Sequence, residues 1–318
     1  MISYQDTLAA LCAADPRVVV MTAENRAAIR GLPERLGPRF IDVGIAEQTM
    51  IGMAAGLALR GRIPICHALA TFITLRAFEF IRTDLGIAGL PALLVGGVPG
   101  LLSEANGPTH QAIEDIALMR GIPGMQVFCP ADGAELVAAL PVLLASGKPC
   151  YIRYFDGPAA VEHQPFAIGR AEVLSDGEDV GLITTGYLLR EAEVAQQTLS
   201  QRGRSTRLVN LRMPVPLDEE AVIETARRCE LLVTLEDHFV TGGLYSLVCE
   251  CLIRHGVMVP VHPIGFEQRW FTPGLLADVL RAEGLTGAQI ASRCTTALDV
   301  MAARRAPAAP PSPPTFIA

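Results

Sequence analysis

Short apolar runs alternate with longer segments of helical period along most of this chain. From the amino-terminal side the pattern predicts a strand in RVVVMTA, a helix in AEQTMIGMAAGLAL, a strand in IPICHA and a helix in LRAFEFIRTDLG. It continues with the strand PALLVGG, the helix QAIEDIALMRG, the strand MQVFCP, the helix GAELVAALPVLLAS and the strand PCYIRY. Strands separated by helices of this length can pair only through crossovers, which predicts a parallel sheet covered on both faces. A second series follows: strands in DVGLITTG, STRLVNLRM, LLVTLED and VMVPVHPIG, with helices in YLLREAEVAQQTLSQRG, LDEEAVIETARRC and GGLYSLVCECLIRHG between them.

The expected fold class is therefore α/β, with two domains, each a mainly parallel sheet flanked by helices. The expected boundaries are residues 1–160 for the first domain, 161–178 for a Gly- and Pro-rich linker, 179–303 for the second domain and 304–318 for a disordered tail. The tail, RRAPAAPPSPPTFIA, holds too much proline for a regular element. Residues 85–102 are uncharged over the length of a membrane span, but Pro91, Gly96, Gly97, Pro99 and Gly100 break the run, so ALLV reads as a buried strand.

With 318 residues, half of them hydrophobic, the chain can bury two cores. Lysine and arginine number 26 against 33 acidic residues, a balance of −7, and no basic run exceeds a pair. That charge argues against nucleic acid or an anionic membrane as partner. The eight cysteines show no CxxC pair or zinc spacing, and the start MISYQDTLAA lacks the regions of a signal peptide. Reduced thiols and a cytoplasmic location are expected.

Candidate chemistry concentrates at three places. In DVGIAEQTMIGMAAGLAL, Glu47 opens a helix with no polar face, which predicts burial all round. A carboxylate there is either a first-turn charge favoured by the helix dipole or a functional group; local sequence leaves both open. Gly52 and Gly56 cut a flat strip into the same helix. In TFITLRAF, Phe72 and Phe78 offer flat apolar faces and Arg76 a charge, against the plainer reading of a core helix. In SEANGPTHQAIED, the turn Asn106-Gly107-Pro108-Thr109 leads into a helix with His110 at its start.

These stretches in order, DVGIAEQ, GRIPICHALATF, GPTHQAIEDIALMRGIPGMQVFCPAD and PCYIRY, resemble the pyrimidine-binding half of thiamine-diphosphate enzymes of the transketolase and 1-deoxyxylulose-phosphate synthase group. TTG, RLVNLRMPVPLDEE and TLEDHFVTGGL resemble that family's C-terminal domain. The resemblance implies thiamine diphosphate as cofactor and a two-carbon ketol transfer from a ketose to an aldose-type acceptor. It implies that Glu47 bonds the aminopyrimidine ring and favours its imino form, a task suited to a buried carboxyl that shares a proton. It implies cofactor contacts for Phe72 and Phe78, with Leu75 as an alternative stacking position. It assigns His110, with Asn106, to the substrate's oxygen atoms, and Arg153 to a sugar phosphate, which a guanidinium fork holds well.

Two departures bear on specificity: Asn106 stands where the family carries an aspartate, and Val98 where transketolases place a substrate-contacting histidine. The family's Gly-Asp-Gly motif for the diphosphate and Mg²⁺ is absent; Asp132-Gly133, Asp156-Gly157 and Asp176-Gly177 lack the preceding glycine. The resemblance thus implies a C-terminal subunit of a split enzyme. An N-terminal, diphosphate-binding partner subunit would supply the Mg²⁺ ligands, two pairs would form a heterotetramer, and the substrate would be a sugar or sugar phosphate. A 2-oxo-acid dehydrogenase E1 beta-type subunit and a non-catalytic scaffold of the same fold are the alternatives.

Overall fold

A parallel strand covered on both faces favours apolar side chains along its length, and the inner strands of the first sheet are mostly apolar, with Thr22, His67 and Arg153 as buried polar exceptions toward their carboxyl ends. In the computed structural model, which describes residues 3–24, 26–267 and 269–305, this sheet comprises β1 (Val18–Thr22), β2 (Phe40–Asp42), β3 (Ile63–Leu69), β4 (Leu93–Gly97), β5 (Gln126–Phe128) and β6 (Cys150–Arg153). All pairs are parallel, in the order β2-β1-β3-β4-β6-β5. Successive side chains point to opposite faces. Val18 and Val20 meet the layer of Tyr4, Leu8, Leu136 and Leu140, whereas Val19 and Met21 meet Met50, Ile51, Ala54, Ile73 and Ile81.

The second sheet has β7 (Glu172–Ser175), β8 (Val180–Thr184), β9 (Thr206–Asn210), β10 (Leu231–Phe239) and β11 (Val261–Phe266) in the order β11-β10-β8-β9-β7. It is mixed, because β7 runs antiparallel to β9. β7 lies inside the segment 161–178 expected to be a linker. Four residues are too few to show a period, yet pairing of Val173 with Val209 gives them a sheet edge to complete. Helices Leu276–Ala282 and Gly287–Arg305 also lie outside the elements expected. Ile290, Ala291, Cys294 and Leu298 of the last helix pack on Leu189, Ala192, Ala195 and Leu199, so tertiary burial defines a stripe that composition near the prolines obscures. Arg304 and Arg305, expected to open the tail, belong to this helix; the remainder of the tail, 306–318, lies outside the described residues. Among the described residues, no helix is long and apolar enough to cross a membrane.

Three helices differ from expectation in ways that matter for the site. Glu47–Leu59 buries Met50, Ile51, Ala54, Ala55 and Ala58, but Gly52, Met53, Gly56 and Leu59 are exposed, so one apolar face is open rather than buried. The segment after Thr71 is not a regular helix: wide π-type turns at Phe72–Arg76 and Ile81–Gly86 flank a single turn at Phe78–Phe80. Thr74 and Thr83 donate to the carbonyls of Ala70 and Glu79 four residues back, at 2.6 and 2.8 Å, a bond that loosens a helical ladder. The helix expected over 111–121 is reduced to Asp115–Met119, because the Gly100 N–H donates to the Ala112 carbonyl and draws the preceding residues into a turn.

Buried charges tie the domains together. His163, between the two sheets, bonds Asp132 through Nε2 (2.8 Å) and Glu172 through Nδ1 (2.9 Å). Arg212 spans Glu135 (2.7 Å) and Glu172 (2.8 Å). Burial works against charge on His163, but the bonds to Asp132 and Glu172 and the charge of Glu135 outweigh it and hold its pKa up at about 10.

Candidate active site at the carboxyl edge of the first sheet

Open parallel sheets bind ligands beyond the carboxyl ends of their strands, where loops diverge and helix N-termini point outward. Glu47 sits there, in the first turn of the helix that follows β2, with Ala46 as an N-cap that supplies no side-chain bond. The residue is 1% exposed. Its partner among the described residues is Arg76, whose Nη1 donates to Oε2 at 2.9 Å. The charge is thus held by the helix terminus and one half-open guanidinium.

Arg76 in turn lies over the Phe72 ring, 4.3 Å from its centroid, and Phe72 meets the His110 ring edge-on at 5.3 Å between centroids. The wide turn at Phe72–Arg76 places both residues at one end of the Glu47 helix. The structure therefore brings Glu47, Phe72 and His110 into one connected group. Arg76 is the link, a residue that sequence reading saw only as a charge.

His110 belongs to the loop after β4, whose backbone is strained. Val98 and Glu104 adopt φ of +46° and +47°, and Glu24, just beyond β1, +67°. Among the described residues these are the non-glycine residues with positive φ, and all three lie on loops leaving this edge. Such conformations each cost about 1–3 kcal/mol and gather at functional sites. Gly100, at φ +56°, could not be replaced without collision, since an added Cβ would lie 1.6 Å from Asp237 Oδ2. Thr109 Oγ1 is 2.9 Å from His110 Nδ1 and orients the imidazole. Asn106 caps its own turn, with Nδ2 donating to the Ser103 carbonyl (3.0 Å) and hydroxyl (3.2 Å), and the residue is otherwise exposed.

Two expected site residues stand elsewhere. Phe78 is half-buried and packs into the core under the Glu47 helix, because the irregular turns rotate it away from the face that carries Phe72. Leu75 is 43% exposed. Arg153, expected to hold a sugar phosphate, is 3% exposed and fully engaged inside the chain. Its Nε donates to Asp115 Oδ2 (2.9 Å), Nη1 to Asp237 Oδ1 (2.6 Å) and Nη2 to the Ala112 carbonyl (3.2 Å). Burial disfavours its charge, but the two carboxylates outweigh that and keep it firmly protonated. The place of Arg153 is the seam between domains.

That seam was missed in the sequence, though the run Glu236-Asp237-His238 at the end of an apolar strand signals it. Burial pushes Glu236 up to about 8, although the Tyr245 and Leu244 N–H groups bond its carboxylate. Burial lowers His238 to about 4; its Nδ1 bonds the Phe239 carbonyl and Nε2 accepts from the Ala117 N–H. The short helix that follows His110 is thereby pinned from the second domain.

A buried carboxylate beside an aromatic ring, opening onto an apolar face, is a donor set that fits an aminopyrimidine: an acceptor for a ring N–H and a flat wall to pack on. The groupings of potential metal ligands among the described residues, Glu219–Cys251–His255 and Glu135–His163–Glu172, lie apart from Glu47, and the second is filled by Arg212.

Residues 3–156 match the family model described as "Transketolase, pyrimidine binding domain", and residues 169–290 that of "Transketolase, C-terminal domain". The chain is 37% identical over 293 residues, 91% of each chain, to a 6-deoxy-6-sulfo-D-fructose transketolase subunit from Clostridium sp. (strain MSTE9). It is 36% identical to the 1-deoxy-D-xylulose-5-phosphate synthase of Thermomicrobium roseum, spanning 48% of that longer protein. A solved structure of a split-gene transketolase, described as an inactive beta4 tetramer, superposes with a TM-score of 0.83 at 34% identity, covering 93% of this chain and 96% of that one. A transketolase variant from Pichia stipitis shares the fold at 18% identity and a TM-score of 0.75. With both domains matched in order and relatives of this similarity, the chain belongs to the transketolase family.

Proposed function

We propose that this chain is the pyrimidine-binding, C-terminal subunit of a split, thiamine-diphosphate-dependent transketolase-like enzyme that transfers a two-carbon ketol unit. The observation that carries the reading is the Glu47 carboxylate, buried at a helix start and linked through Arg76 and Phe72 to His110. When bound, the cofactor supplies the nucleophilic carbon and the electron sink for ketol transfer. Glu47 holds or accepts the proton shared with the aminopyrimidine, and Arg76 keeps its carboxylate aimed. Phe72 packs on the flat ring and excludes water. His110, oriented by Thr109, faces substrate oxygens as a donor or proton acceptor. Phe78 and Arg153 are left out of the contact set on the grounds given above.

The second half of the proposal is a partner. Ile45, Met53, Leu59, Leu75, Phe80 and Ile87 are exposed around the Glu47 helix and the turns beside it, an apolar surface that a subunit interface would cover. The partner subunit would hold the diphosphate and Mg²⁺, and two pairs would form a heterotetramer. A split-gene transketolase described as inactive in its beta4 state supports this need for a second kind of chain. The relative from Clostridium is named for 6-deoxy-6-sulfo-D-fructose, which supports a ketose as the donor.

The test is reconstitution with the partner subunit and turnover of ketose donors. Glu47→Gln should lower kcat by about 10²–10⁴-fold while leaving assembly intact. Unchanged turnover would support the scaffold reading instead.

A further inference from the structure

The eight cysteines carry no zinc spacing along the chain, yet folding gathers a trio of ligand types from two helices of the second domain. Cys251, in the last turn of the helix Leu244–Arg254, and His255, its C-cap, stand four positions apart and so share one side of the helix. The helix Glu219–Arg228 brings its first residue, Glu219, against that side. His255 Nε2 donates to Glu219 Oε2 at 2.7 Å, across 36 residues of chain. One ligand atom from each of Glu219, Cys251 and His255 lies within 4.8 Å of the others.

Thiolate, imidazole and carboxylate together suit a borderline-soft cation, and at zinc bond lengths of about 2.0–2.3 Å tetrahedral ligands stand about 3.3–3.5 Å apart. Small side-chain rotations close the trio to that spacing. Cys251 is buried and fixed, while half-buried Glu219 and exposed His255 are free to turn onto a shared ion. Arg254 also bonds Glu219, but through Oε1 at 2.8 Å and from an exposed position, which leaves Oε2 available. The cluster of Glu135, His163 and Glu172 differs: it holds no thiol, and buried Arg212 already spans its carboxylates. The bond from His255 holds Glu219 below the ordinary carboxylate range, with Arg254 adding to the effect. Burial pushes the Cys251 thiol up, so without a metal it keeps its proton.

We propose that Glu219, Cys251 and His255 form a Zn²⁺ site whose fourth position is open to water. On binding, the Cys251 S–H bond gives way to a sulfur–zinc bond and the proton goes to solvent; the imidazole coordinates through Nε2 and stays neutral, with its proton on Nδ1. Thiolate and carboxylate balance the charge of the dication. The ion clasps the start of one helix to the end of the other. The helix Leu244–Arg254 carries Leu247 into an apolar core of the first domain and Glu250 to Arg120, so the clasp steadies an element on which the two domains meet. The inference is independent of the ketol-transfer reading.

The test uses the full chain, stripped with a chelator, kept reduced and titrated with Zn²⁺ or Co²⁺. One equivalent should bind, zinc should raise the thermal unfolding temperature, and cobalt should give a thiolate charge-transfer band. Cys251→Ser should abolish that band. His255→Ala, at an exposed position, should weaken zinc binding by about 100-fold with little change in the metal-free unfolding temperature. Cys249→Ser, two positions from Cys251 and on another side of the helix, should keep both the band and the affinity. Absence of zinc binding by the parent chain, a band that survives Cys251→Ser or vanishes in Cys249→Ser, or unchanged affinity in His255→Ala overturns the inference.

Discussion

Glu47 and Arg153 are both charges buried in the first domain, yet they differ in how they are answered. Among the described residues Glu47 has one side-chain partner, Arg76, on a strained and open edge. Arg153 has two carboxylates and a carbonyl, deep in the seam between domains. A buried cation whose three nitrogens are each bonded within its own chain is held in place by that chain, whereas a carboxylate held by a single partner at a helix start keeps capacity for a ligand. The contrast separates chemistry from architecture within one family pattern, and it can be pressed from both sides.

The largest effect is expected at Glu47. In the reconstituted complex, Glu47→Gln should cost about 10²–10⁴-fold in kcat with little change in thermal unfolding temperature, read by steady-state kinetics and calorimetry on the same preparations. Arg153→Met should do the opposite. Leaving Asp115 and Asp237 buried without their cation should destabilise the chain by about 3–5 kcal/mol in urea titrations. Were Arg153 a phosphate ligand instead, KM would rise and stability would hold.

A smaller effect is expected on the open face. Met53 is 41% exposed on the Glu47 helix, and Met53→Glu should weaken assembly with the partner subunit by about 2 kcal/mol, measured by sedimentation, without changing the urea midpoint of the isolated chain. Unaltered assembly would move the interface elsewhere.

The smallest is the pH response of the His163 tie. Its folded pKa, about 10, lies above the ordinary value of 6.5, so its protonated form stabilises the fold fully below pH 6.5 and that contribution fades as pH rises through 10. Asp132 and Glu172, the carboxylates it bonds, are held below their ordinary values and keep their charge across that window. The difference in urea midpoint between the parent chain and His163→Gln should therefore shrink between pH 6.5 and 10. A difference that is flat or grows with pH would mean His163 is not the charged centre of this tie.

Much of the fold was legible because parallel α/β structure writes itself as apolar runs separated by periodic segments; β1, β3, β4, β8 and β10 all appear that way. β7 was not, since a short edge strand is specified by its neighbour β9 more than by its own pattern. Glu47 and His110 were legible as polar residues out of keeping with their surroundings. Arg76 was not, because a surface arginine and a carboxylate's partner look alike until the wide turn at Phe72–Arg76 sets its direction.

By itself, then, the sequence determined the order of strands and helices, the family pattern and the residue types available at the carboxyl edge, since each is encoded locally in spacing and side-chain chemistry. Only the tertiary structure decided which charges are answered within the chain. Arg153 meets Asp237 across 84 residues and Glu47 meets Arg76 across 29, and no local pattern records which distant group arrives to satisfy a buried one.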